Sequence, residues 1–256
     1  MEEKDHTNIN GKDNTAEQHK LCLMRALVEH RDPSAKEADD LMLRRFLRAR
    51  DLNVEKAATM FLKYLKWKRT FLPKGFVSED EIEYDLSQNK ICLGGQDKQG
   101  RPIVVAFAGR HYQSSKPGGL DEFKRTFLPV FLHFPSSATF DSNIILIPDG
   151  QEKFLAIGDL QGWGYSNSDV RGYLGFISVL QDYYPERLGK LFIVHAPRVF
   201  MAVWKVVYPF IDENTKAKIQ FVEKQHIKSK LLEDIDESQL PDIYGGKLQL
   251  VPVQDA

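Results

Sequence analysis

Three places in the chain carry residue types that could do chemistry. GWGYSN, residues 162–167, lies between a strand-like run, KFLAIGDL, and a helix-like one, the setting in which glycines let a turn approach the phosphates of a dinucleotide. Its third glycine position is Asn167, and the next strand ends in Val194 and His195 where an acidic residue would be needed for a ribose hydroxyl. His195 and His226 have no cysteine, histidine or carboxylate at metal-ligand spacing, so they read as buried or hydrogen-bonded side chains and no metal is expected. Cys22 and Cys92 form no CxxC pair and read as reduced core thiols. GxSxG, HExxH and P-loop patterns do not occur. A nucleotide-dependent α/β enzyme built on residues 162–167 is the enzymatic alternative. With no catalytic residue set to accompany it, the residues favour binding over catalysis.

The elements that must position these residues fall into two parts. Thr15-Ala16-Glu17-Gln18 and Ser34-Ala35-Lys36-Glu37 have capping-box spacing, and Asn53 stands ahead of apolar residues recurring at helical intervals from Val54 to Leu65. These predict a helical N-terminal lobe over residues 15–75, preceded by a polar, disordered tail over 1–14. After residue 76 the period changes: ICLGG and RPIVVAFAG flank QDKQG as a hairpin, and KFLAIGDL, KLFIVHA and KIQFVE are short apolar runs separated by helical stretches. That alternation predicts an α/β domain over residues 76–250 with a mostly parallel sheet covered by helices. Pro129 and Pro135 interrupt the apolar stretch 126–148, which receives no assignment.

With 35 basic and 36 acidic residues there is no global charge bias of the kind nucleic-acid binding would need. The tail has no apolar signal region, which points to the cytoplasm. Residues 197–210, PRVFMAVWKVVYPF, have no polar face, yet the run is too short to span a bilayer and is bounded by prolines. It is either a core helix or one that meets something apolar outside the protein. From 214 to 230, Lys216, Lys218, Lys224, Lys228 and Lys230 face Glu223 alone, a basic patch beside that helix and a candidate for reversible contact with anionic membrane.

The ordered motifs DDLMLRRFLRARDLNVEKA, DKQGRPIVV, GDLQGWG, LQDYYPERLGKLFIVHAP, YPFIDENTKAKI and ESQLPDIYGGKL, together covering residues 35–250, resemble the CRAL-TRIO lipid-binding family, and within it the phosphatidylinositol transfer proteins. The resemblance implies a helical lobe packed on an α/β lobe, one phospholipid enclosed over the sheet, and a mobile lid helix carrying Phe200, Val203, Trp204, Val207 and Phe210, with hinges at Gly189 and Gly245. It places the lipid headgroup on Arg50, Glu186, Thr215 and Lys218; Asp51 departs from the pattern, in which a lysine often follows the arginine. Positions that would offer hydroxyls to a phosphocholine group are here Leu93, Val104, Phe154 and Ala156, which disfavours a choline lipid. The function implied is non-enzymatic: a carrier without cofactor that exchanges phosphatidylinositol at cytosolic membrane faces and presents it to enzymes such as lipid kinases. The alternative within the family is a carrier of an apolar ligand such as a sterol, retinoid or tocopherol.

Overall fold

The computed structural model describes residues 9–114, 116–128 and 151–255. The chain divides into two compact units, residues 1–75 and 76–256.

The first unit is helical. Helix α1 (Ile9–Arg31) buries Leu21, Met24 and Val28, α2 (Asp40–Arg48) buries Leu43, Phe46 and Leu47, and α3 (Val54–Phe71) buries Ala57, Ala58, Phe61, Tyr64 and Leu65. Phe46 and Phe61 meet edge to face at 5.2 Å. Asn53 caps α3 by accepting from the Lys56 amide at 3.0 Å, as its spacing predicts. The two capping boxes do not act as caps. Thr15 lies inside α1, which already runs through residues 9–14 of the expected tail, because each residue added to an existing helix gains a backbone bond. Asp32 takes the role expected of Ser34: its carboxylate accepts from the Ser34 amide and hydroxyl and caps a short turn over Pro33–Glu37, while Asp39 caps α2. Cys22 is exposed on α1, contrary to the core reading, whereas Cys92 is buried.

The second unit is a six-stranded sheet in the order β5-β4-β3-β2-β1-β6. Strands β1 (Ile91–Gln96) and β2 (Pro102–Phe107) form the antiparallel hairpin, and β2, β3 (Phe154–Asp159), β4 (Leu188–Val194) and β5 (Ile219–Phe221) run parallel. The unforeseen β6 (Val251–Pro252) adds antiparallel to β1. The covering helices are α4 (Glu83–Leu86), α5 (Gly119–Thr126), α6 (Val170–Tyr183), α7 (Phe200–Val207), α8 (Glu213–Lys216) and α9 (Ile227–Asp234). Of the unassigned stretch 126–148, Thr126 ends α5 and the part from residue 129 onward lies outside the described residues.

Because strand side chains alternate, the sheet has two unlike faces. Ile103, Val105, Leu155, Ile157, Phe192 and Val194 pack against Ile227 and Leu231 of α9 and against Ile235, Leu240 and Tyr244. The opposite face carries Ala106, Ala156, Gly158, Leu191 and Ile193, a floor with several small side chains.

Candidate functional site

Helix α7 lies over that floor. Phe200, Val203, Trp204 and Val207 line a cavity of about 230 Å³ together with Ala106, Gly158, Leu191 and Ile193 of the sheet and Phe127, Phe176 and Ile177. Phe200 packs edge to face on Trp163 at 5.2 Å, and Trp204 does the same on Phe221 at 5.1 Å. The other side of the helix and the turn that follows it face water: Met201 and Val206 of α7 and Tyr208 and Phe210 beyond it are exposed, Phe210 by 59 %. Four of the five residues expected on this helix therefore line the cavity. Phe210 instead sits in the turn Tyr208–Phe210 that follows. A buried core helix would show no such outer face. The chain beyond α7 is tied to α6 through Gln181, whose amide donates to the Phe210 carbonyl at 3.0 Å and whose oxygen accepts from the Asp212 amide at 2.7 Å.

The cavity has one polar end. Lys90, buried, donates to Asp85, to Gln88 at 3.3 Å and to His111 Nδ1 at 3.1 Å, and His111 Nε2 then faces Asp169 at 3.4 Å. Burial lowers the Lys90 pKa to about 7, partly opposed by the negative charges of Glu122 and Asp169. Burial and the charge of Lys90 push His111 down to about 4, so the imidazole is neutral. All three lysine protons are engaged within the protein, which makes this network a wall of the cavity with no donor left over for a ligand.

At the edge where the parallel strands begin, three side chains converge. Lys153 precedes β3, Glu186 precedes β4 and Lys218 precedes β5, and parallel pairing brings these strand starts side by side. Glu186 Oε2 accepts from Lys153 at 3.1 Å and from Lys218 at 3.5 Å. Burial raises the Glu186 carboxyl, but the Lys153 hydrogen bond and the charge of Lys218 outweigh it and hold the group below the ordinary carboxylate range. Glu186 has φ +59°, a left-handed backbone uncommon for a residue with a side chain. The residue that follows is tied to the start of β3 and to Glu152 ahead of it: the Phe154 amide donates to the Arg187 carbonyl at 3.0 Å, and Arg187 Nη1 donates to the Glu152 carbonyl at 3.2 Å.

The residues expected at a headgroup are thus placed unequally. Glu186 and Lys218 are in contact. Thr215 is not part of their cluster, since its hydroxyl donates to Asp212 at 2.7 Å and its amide to the same carboxylate. The four-residue α8 ends at Lys216, so Thr215 and Lys218 do not share a helical face. Arg50 belongs to the helical unit, where its guanidinium donates to the Ala49 carbonyl at 2.7 Å. Lys153 was not foreseen; its position just before a parallel strand, like that of Lys218, is the signal that would have found it. Leu93, Val104 and Ala156 are cross-strand neighbours on the cavity side of the sheet, with Phe154 two residues earlier on β3; they lie along the floor between the lysine cluster and the cavity without lining it.

Neither expected hinge adjoins α7. Gly189 lies inside β4, packed close against the Arg101 side chain and the Phe154 carbonyl. Gly245 has φ +86° and follows Tyr244, which packs on the α9 side. The basic patch is also divided: Lys228 and Lys230 ride on α9, across the sheet from α7, paired with Glu237 and Glu233. On the α7 side Arg198 and Lys205 are exposed and make no ion pair among the described residues.

The GWGYSN turn is closed by its own side chains. Asn167 donates to the Gly109 and His111 carbonyls, both at 3.0 Å, and Asp169 occupies the start of α6 by accepting from the Gly172 amide at 2.8 Å. A carboxylate already fills the helix terminus that a phosphate would need. His195 meets Asp159 at 2.9 Å, with the Tyr244 hydroxyl donating to the other carboxylate oxygen at 2.9 Å, and His226 is exposed ahead of α9. Among the described residues no group of three or more His, Cys, Asp or Glu side chains could hold a metal ion, and no helix is long and apolar enough to cross a membrane.

Comparison with known proteins is consistent with this geometry. A family model described as the CRAL/TRIO domain matches residues 86–246, and one described as its N-terminal domain matches residues 12–63. The Sec14 cytosolic factor of Schizosaccharomyces pombe is 32% identical over 225 residues, covering 82% of this chain and 76% of the relative. The phosphatidylinositol/phosphatidylcholine transfer protein SFH12 of Arabidopsis thaliana is 32% identical over 82% of this chain, and Protein real-time of Aedes aegypti is 30% identical over 89% of it. The chain spans only 40% and 36% of the lengths of those two relatives. The crystal structure of Sfh5 superposes with a TM-score of 0.61 over 86% of this chain and 84% of that one, at 18% identity.

Proposed function

The chain belongs to the CRAL/TRIO family, and from that premise we propose that it is a non-enzymatic carrier that encloses one phosphatidylinositol molecule and exchanges it at membrane surfaces. The observation that carries this reading is an apolar cavity roofed by a helix that is apolar on both sides, with paired lysines at the strand edge beyond it. At about 230 Å³ the cavity is below the roughly 300–1,000 Å³ of ordinary ligand sites. A two-chain lipid requires α7 to swing out, which takes the two Gln181 bonds with it. The exposed Met201, Val206, Tyr208 and Phe210, flanked by Arg198 and Lys205, then enter the membrane interface.

Glu186 and Lys218 take the headgroup. Thr215 contributes only after leaving Asp212. Leu93, Val104, Phe154 and Ala156 offer no hydroxyl, so phosphatidylcholine is a poor cargo. The same apolar row favours, as the second reading, a carrier of a sterol, retinoid or tocopherol. Presentation of the lipid to kinases and residence in the cytoplasm follow as further parts of the proposal.

Mass spectrometry of lipid carried by the purified protein, after incubation with vesicles of phosphatidylcholine and phosphatidylinositol, tests the reading. Phosphatidylinositol is expected to dominate, and Lys218→Ala to reduce it by at least tenfold, since a phosphate left short of a cation in a desolvated site costs about 2–5 kcal/mol. Bound sterol or retinoid would favour the second reading, and efficient uptake of phosphatidylcholine would overturn the assignment of the apolar row.

A further inference from the structure

We infer that Lys153 is a second phosphate-binding cation at the strand edge, and that it, rather than Lys218 alone, sets the preference for a singly charged phosphodiester headgroup. This rests on the phosphatidylinositol reading above and adds to it a residue outside the headgroup motif.

The inference starts from charge. Lys218 and Glu186 together are neutral, so a phosphodiester brought to that pair would stand as an uncompensated anion in a partly desolvated place. Lys153 bonds the same carboxylate oxygen as Lys218, at 3.1 Å against 3.5 Å. The two ammonium groups and one carboxylate carry a surplus of one positive charge, the amount that one phosphodiester neutralises.

Donor counting agrees. Each ammonium has three protons and gives one to Glu186 Oε2, which leaves donors on both lysines for phosphate oxygens. Both reach solvent, with side-chain exposures of 36% for Lys153 and 20% for Lys218. Glu186, itself only 17% exposed and held in its left-handed backbone, keeps the two cations on one oxygen instead of letting them repel each other apart. The fold supports the arrangement, because the Phe154–Arg187 and Arg187–Glu152 bonds tie both neighbours of Lys153 to Arg187, the residue after Glu186. A solvated surface lysine would have no such ties around it.

The test compares wild type, Lys153→Met, Lys153→Arg and Lys218→Ala. Each is incubated with vesicles of phosphatidylcholine and phosphatidylinositol, re-isolated, analysed for bound lipid by mass spectrometry, and melted in its lipid-free form. Lys153→Met keeps the aliphatic stem and is expected to lower bound phosphatidylinositol about tenfold, the scale of one charge-assisted hydrogen bond. Its lipid-free melting temperature should stay within about 2–4 °C of wild type, because a partly exposed ion pair contributes little to stability. Lys153→Arg should restore most of the binding. Undiminished uptake by Lys153→Met, with uptake lost in Lys218→Ala, would overturn the inference. So would a parallel loss of lipid and melting temperature in Lys153→Met, which would make the contact with Glu186 structural. If wild type itself takes up no phosphatidylinositol, the proposed function fails and this inference with it.

Discussion

The two faces of the sheet are made from the same strands and differ in what they are filled with. Toward α9 the alternating residues are branched or aromatic, with Ile103, Val105, Leu155, Ile157 and Phe192 fully buried. Toward α7 the same strands present Ala106, Ala156 and Gly158, and a cavity takes the place of packed side chains. A Cβ built on Gly158 would meet nothing closer than 3.8 Å, so glycine there is not forced by crowding. One face holds the domain together, and the other is left open for something to occupy. The packed core and the face proposed to bind are thereby separated by a single-residue step along each strand.

The largest expected effect tests that separation with one residue type. Leu155→Ala, on the filled face, should cost about 3–5 kcal/mol in urea unfolding, whereas Leu191→Ala should cost about 1–2 kcal/mol because its side chain already borders empty space. Equal losses would erase the distinction between the faces.

A smaller effect concerns the polar wall. His111 has a folded pKa of about 4, below its ordinary value, so the unfolded chain takes up the proton first as the pH falls. The stability this neutral histidine provides is complete above about pH 6.5 and is lost on descending toward 4. Between those limits wild type should lose about 2–3 kcal/mol more than His111→Gln, measured by denaturant titration across the range. Parallel curves for the two proteins would mean that His111 does not titrate with folding.

The smallest change in stability should accompany a large change in binding. Gly158→Val gives a central strand a better strand former and should leave stability unchanged or raise it by up to about 1 kcal/mol. The added methyl groups project into the cavity, so bound lipid, read by mass spectrometry, should fall sharply. A valine variant that carries its full complement of lipid would show that the open face is not where acyl chains lie.

Much of this was legible in the sequence for local reasons. The hairpin and the parallel strands announce themselves through short runs of branched residues, and the apolar inner and outer sides of α7 follow from fourteen residues with almost no polar group. Asn53 could be placed because a cap acts within three residues. What escaped depends on partners far away in the chain. Lys153 acquires meaning only from Glu186, 33 residues later, and the division of the lysines between two sides of the sheet depends on where α9 packs. Thr215 matched a motif, yet a neighbouring carboxylate three residues away claims its hydroxyl. Ser34 lost its capping role to Asp32, whose carboxylate also receives Arg69 at 2.7 Å from a distant helix.

Helix α7 is also part of the connection between β4 and β5, and its Phe200 and Trp204 rest on Phe221 of β5. Were the helix to swing out as proposed, β5, the edge strand among the described residues, would lose its aromatic cover, a combination that invites another chain to add on. β5 is only three residues long, Ile219–Phe221, which leaves too short a template for such pairing to hold. The brevity of that strand would guard the sheet edge against edge-to-edge pairing during the proposed opening.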